Sequence, residues 1–200
     1  MQPGVPLGRP ENLDLQQLLA HYDGPAYIRR GRRVQEALDQ LLARCRTRRE
    51  EWLELVRIHL ATLHALLGGW GALDSLLPDL DQREALRQLH EDLQPRLRVP
   101  VEQTKSRRRL RFALADLATS LERFNDRWRR YLEEVDLAPI NEARDGYNRF
   151  YLLEKECAIR NGNLARRGFV LLKPFTQAEL AKFFPPLPVP RPNTRSGSAS

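Results

Sequence analysis

LRFALADLATSLERFNDRWRRYLEEV, residues 110–135, decides how this chain folds. Leu110, Leu114, Leu117, Leu121, Phe124, Trp128, Tyr131 and Val135 follow one another at alternating steps of four and three, and no polar residue interrupts the series. That spacing lays all eight side chains along one stripe of an α-helix, the seam of a heptad repeat. A lone helix cannot keep such a stripe in water, because most helical stability comes from burying the apolar face. The helix, expected over about 102–135, must therefore pack lengthwise on another helix, either of this chain or of a second copy.

Upstream, about 25–67 runs without a breaker except Gly31 and reads as a second long helix, some 60 Å at ~1.5 Å per residue. Tyr27, Val34, Leu38, Leu41, Cys45, Trp52 and Leu55 step along it at heptad spacing, with Gly31 and Arg48 filling two seam positions. Past Trp52 the apolar face broadens to Val56, Leu60, Leu63 and Leu67, as expected where a helix meets more than one neighbour. Gly68, Gly69, Trp70 and Gly71 close that helix with a cap and a turn.

Shorter helices are expected around these two. One covers about 12–22 and another about 81–94, where Asp81 and Glu84 have capping-box spacing ahead of Leu86, Leu89 and Leu93. Val99, Pro100 and Val101 make an extended link. Helix about 140–159 carries Tyr147, Phe150, Tyr151, Leu153 and Cys157, and a last one, about 176–184, opens on Thr176 and Glu179 at capping-box spacing. Phe169 to Leu172 is a short apolar run that suits extended chain.

The expected fold is thus all-α: an elongated helical bundle with antiparallel coiled-coil character over 12–184, a flexible N-terminal tail over 1–11 and a Pro-rich disordered tail over 185–200. The tail contains a bare PxxP at Pro185 and Pro188, a weak signal that a simple linker explains as well.

Composition narrows the function. The net charge is +7, and only four of the 33 basic residues are lysines, at 105, 155, 173 and 182. Such an excess favours acidic partners. Two cysteines, Cys45 and Cys157, without CxxC spacing read as reduced thiols of a cytoplasmic protein, and the start has no apolar leader. The longest uncharged run, Ile58 to Leu73, is too short and too glycine-rich to span a bilayer.

No catalytic constellation emerges. His21, His59, His64 and His90 lack a Glu three residues before them, and no HExxH or HxxxH occurs, so no metal ligands are assigned. GxxxxGK and GxGxxG are absent as well, so no cofactor and no small-molecule substrate is expected. The chain reads as a non-catalytic interaction or scaffold protein, homodimeric if the seam from Leu110 to Val135 pairs between copies.

Two sets of residues are candidates for contact. Arg144, Tyr147, Asn148 and Tyr151, with Asn141 a turn before, share a helical face suited either to a protein partner or to closing the bundle. Arg29, Arg30, Arg32 and Arg33, and Lys105, Arg107, Arg108, Arg109 and Arg111, sit at helix N-termini, where cations oppose the helix dipole. An acidic partner would repay that cost, so nucleic-acid binding is the alternative reading and an anionic membrane surface the third. Arg46, Arg48 and Arg49 form a weaker cluster beside Glu50, Glu51 and Glu54.

Overall fold

The computed structural model describes residues 26–93, 104–160 and 171–191, and excludes the side chains at 26–28 and 157–160. The expected tail 1–11, helix 12–22, the link at Val99 to Val101, residues 169–170 and 192–200, and the side chains of Tyr27 and Cys157 lie outside the described residues.

Within them the chain is helical, with no strand: α1 Ala26–Leu67, a 3-10 turn Gly71–Ser75, α2 Leu80–Leu93, α3 Arg107–Glu134, α4 Ala138–Arg160 and α5 Gln177–Lys182. The all-α expectation holds. The helices gather into two compact units, one of Met1–Arg44 with Asp136–Glu179 and the other of Cys45–Val135 with Leu180–Ser200. The border falls inside α1, whose 42 residues serve both.

The second unit holds most of the buried leucines. From α1 it takes Leu53, Val56, Leu60 and Leu63, from α2 Leu86 and Leu89, and from α3 Leu110, Leu114, Leu117, Leu121, Phe124 and Trp128. Leu114, Leu117 and Leu121 are wholly enclosed, so the seam is already covered within the chain and is no free dimer face. The heptad also fails at its end: Leu132 is buried where Tyr131 and Val135 are only half-buried. A step of four at that point is the drift of a straight helix with 3.6 residues per turn, rather than a supercoiled seam. On α1 the same drift leaves Leu55 52% exposed, while Leu53 and Val56 turn inward.

Local chemistry sets the helix ends. Gly68 and Gly69 have φ of 64° and 113°. The Gly68 amide donates to Ala65 O at 3.2 Å and the Gly69 amide to His64 O at 3.3 Å, the paired bonds of a Schellman cap. Ser106 Oγ accepts from the Arg109 amide and caps α3, which therefore begins later than the expected 102. Asp79, and not Asp81, caps α2: its carboxylate accepts from the Asp81 and Gln82 amides, and Gln82 Nε2 donates back to it at 3.1 Å. Arg57, buried on α1, donates to Leu93 O at the end of α2 and pairs with Glu50 at 2.5 Å. Its cation thus satisfies a carbonyl that the helix itself leaves open.

The first unit has a thinner core of Leu41, Leu42, Leu137, Ile140, Leu152 and Phe175. Asp136 Oδ1 accepts from the Ala138 amide to open α4, and Pro139 occupies the first turn, where its missing N–H costs nothing. Gly31 approaches Tyr147 closely, since a Cβ there would stand 3.6 Å from the ring. The Thr176 and Glu179 capping box is formed in full, with reciprocal bonds of 3.0 and 3.2 Å.

Candidate functional site

An asparagine side chain carries one N–H donor edge and one carbonyl acceptor, so it can match the N–H and C=O of a single residue in an extended chain. It is also a poor helix former, and needs a reason to occupy a helix interior. The described residues contain three asparagines, Asn125, Asn141 and Asn148, and all three do this.

In the first unit Asn141 and Asn148 stand two turns apart on α4. Asn148 Nδ2 donates to Leu172 O at 2.8 Å, and the Leu172 amide donates to Asn148 Oδ1 at 2.9 Å. Asn141 Nδ2 donates to Phe175 O at 3.1 Å, and the Phe175 amide donates back at 2.6 Å. Between them Arg144 donates to Lys173 O at 2.6 Å and lays its guanidinium 5.0 Å from the Phe175 ring centre. Residues 172–175 are held straight along the helix by main-chain recognition, with the Phe175 side chain buried as an anchor. The Asn148 side chain is closed from solvent, which strengthens its bonds and makes their loss costly.

The second unit repeats the device on α3. Asn125 Nδ2 donates to Leu187 O and the Leu187 amide to Asn125 Oδ1, both at 2.8 Å. Phe184 sets its edge on Trp128 at 5.4 Å, Arg49 donates to Pro185 O at 3.5 Å, and the Arg191 amide donates to Gln82 Oε1 at 2.8 Å. Phe184 and Pro190 are buried and Leu187 is half-buried, while Pro185, Pro186 and Pro188 face solvent. Val189 is half-buried as well, and four prolines among residues 185–191 favour extended chain. Residues 185–191, expected in a disordered tail, are therefore seated: proline supplies the conformation and Asn125 the grip.

The four residues expected at a protein interface are thus engaged inside the first unit. Arg144 and Asn148 hold the extended segment, and Tyr147 stacks on Tyr151 at 5.9 Å. Periodicity singles out Asn148, with Asn141 beside it, but misses Asn125. The signal available for it was an asparagine in the middle of a helix otherwise built from good helix formers.

The basic clusters remain on the surface. Arg29, Arg32 and Arg33 are exposed, and Arg30 lies 4.4 Å from the centre of the Phe150 ring. Lys105, Arg107, Arg108, Arg109 and Arg111 are exposed in the second unit around Phe112, itself 58% exposed, with Arg108 stacked 5.6 Å from its ring. Arg127 caps Trp52 at 3.8 Å, a cation–π contact at the end of the Trp128 cluster.

His64, Trp70 and His90 meet at the far end of the second unit's core, the two imidazoles stacked at 4.5 Å and the indole 5.1 and 5.3 Å away. Among the described residues no group of three or more His, Cys, Asp or Glu is placed to hold a metal ion. Burial pulls the His90 pKa below its ordinary value, His64 adds to the effect and Glu91 opposes it. A histidine whose folded pKa is depressed takes up its proton more readily in the unfolded chain, so stability rises with pH through the window just below the ordinary histidine value. Lowering pH from about 7.5 to about 5.5 is expected to lower Tm, and His90→Gln to flatten that dependence; identical pH slopes in the two proteins would refute it.

Comparison with protein-family models, with curated proteins and with solved structures gave no match to this chain.

Proposed function

We propose that this chain is a non-catalytic interaction protein whose helices serve to hold extended polypeptide. The observation that carries this reading is the use of every described asparagine to bind both main-chain groups of one residue in an extended segment. Recognition through the main chain is the basis of several peptide-binding modes, with side-chain pockets adding selectivity. Cys45 is a buried thiol outside any disulfide, consistent with a cytoplasmic setting, and no described helix is long and apolar enough to cross a membrane.

The second reading is nucleic-acid binding, favoured by one observation: exposed Phe112 among exposed cations is a stacking platform inside a basic patch.

Three of the four lysines distinguish the two readings. Lys173 lies within one held segment and Lys182 just precedes the other, whereas Lys105 marks the basic patch. A lysine-reactive cross-linker applied to the full chain in its native extract, followed by mass spectrometry, should join protein partners through Lys173 or Lys182. Association through Lys105 alone, abolished by nuclease and falling steeply with salt, would transfer the function to nucleic acid.

A further inference from the structure

We propose that the outward face of α3 around Phe112 binds a short unpaired nucleic-acid strand, whose phosphates meet Lys105, Arg107, Arg108 and Arg111 while one base stacks on the Phe112 ring, an inference that rests on the nucleic-acid reading and names the form of its ligand.

The charges call for an anion. No acidic residue occurs between Glu102 and Asp116, and five cations fall within the seven residues from Lys105 to Arg111. The Thr104 amide donates to Leu66 O at 3.1 Å, which sets the start of α3 beside the end of α1, and residues 58–73 there carry no carboxylate. Among the described residues Lys105, Arg107, Arg108 and Arg111 form no ion pair. Arg107 and Arg111 stand one turn apart, where like charges repel. A run of phosphates relieves that repulsion, and the counterions it sheds drive the association.

Phe112 decides what carries the phosphates. Arg108, Phe112, Ala115 and Thr119 succeed one another at steps of four, three and four and are all exposed, on the side of α3 turned away from the buried Leu110, Leu114, Leu117 and Leu121. The ring is 58% exposed, the Arg108 guanidinium lies 5.6 Å from its centre, and only the small Ala115 and Thr119 follow it on that face. Stacking of a base on an aromatic ring beside a guanidinium is a sequence-tolerant contact made by single strands. In a duplex the base faces are already stacked on one another, so the ring would find no partner. A bilayer surface needs a broad apolar face. Among the described residues α3 exposes one large apolar side chain, Phe112, and Asp116 and Glu122 are exposed beyond it. From Arg107 to Phe112 the patch runs about 8 Å along the helix at ~1.5 Å per residue, so the strand it holds is a few nucleotides long.

The test is anisotropy of a fluorescein-labelled oligothymidylate of about 12 nucleotides, titrated with the full chain at ~50 mM salt. The single strand should bind at least about fivefold more tightly than the same strand annealed to its complement. Its log K should fall with log salt at a slope of about −3, because each phosphate neutralised on a single strand contributes about −0.7 and the four cations take part. Phe112→Ala should weaken the single strand about tenfold, leave the duplex and the slope unchanged, and so erase the preference; Phe112→Trp should keep it. Arg111→Gln should make the slope shallower by about 0.7 and retain the preference. Both side chains are exposed, so the helical circular dichroism of each variant should match that of the unmodified chain. Equal affinity for strand and duplex, or Phe112→Ala binding the strand as the unmodified chain does, would overturn the inference and leave nucleic-acid binding as such in place. Tighter binding to vesicles of phosphatidylcholine with about 30% phosphatidylserine than to the strand would overturn it in favour of lipid. No binding of either nucleic acid up to about 100 μM chain would remove the nucleic-acid reading with it. Cross-links through Lys173 or Lys182 would stand under every one of these results.

Discussion

Asn148→Ala should destabilise the chain by about 2–3 kcal/mol and lower Tm by roughly 5–10 °C, the larger of two effects expected from releasing the held segments. Asn148 is 2% exposed, and it both donates to Leu172 O and accepts from the Leu172 amide. Each bond contributes about 1 kcal/mol net, and the alanine also leaves a small void where the amide group packed. Asn148→Asp separates recognition from packing. A carboxylate keeps the shape and can still accept from Leu172, but it cannot donate and it buries a charge, so it should be no better than alanine. Calorimetry reads the first effect, and amide exchange at Leu172 reads the second. An alanine variant with unchanged Tm and unchanged Leu172 protection would show that residues 172–175 stay in place without the asparagine.

Removal of residues 185–200 should cost about 2 kcal/mol, or ~4–8 °C in Tm, while the helical content stays nearly unchanged. The shortened chain lacks the paired Asn125 and Leu187 bonds, the Arg191 amide bond to Gln82, and the burial of Leu187 and Pro190. Ordering seven ordinary residues would cost more than these return, at about 1–2 kcal/mol each. Four of residues 185–191 are prolines, whose φ is already set in the free chain, and that reduces the cost enough for the tail to remain docked. Thermal denaturation of the two chains side by side decides the matter. Equal midpoints would mean that the tail contributes nothing to the second unit.

The asparagines show where sequence reading stops. Asn148 could be seen to lie on one face with Arg144 and Tyr151, because a period of 3.6 is a local property of a helix. Its partner, Leu172, is 24 residues further along the chain, and nothing in the spacing of either segment announces the match. Asn125 and Leu187 are 62 residues apart, and although an asparagine inside a helix stands out, nothing in either segment says that the two meet. The His64 and His90 stack is likewise a meeting of two helix ends that no ligand spacing encodes.

The helical character of the described residues, the apolar stripe from Leu110 to Trp128, the glycine cap after Leu67 and the Thr176 and Glu179 capping box were determined by sequence alone, because each depends on residues within a turn or two of one another. Tertiary structure decided which of two neighbouring stripes was buried past Trp128, where a straight helix departs from the heptad and selects Leu132. It also decided that the seam closes inside the chain and that a proline-rich tail is held rather than free. Those outcomes depend on the balance between chain entropy and interactions made across long separations, a balance set only when the helices that supply Asn125, Gln82 and Trp128 have come together.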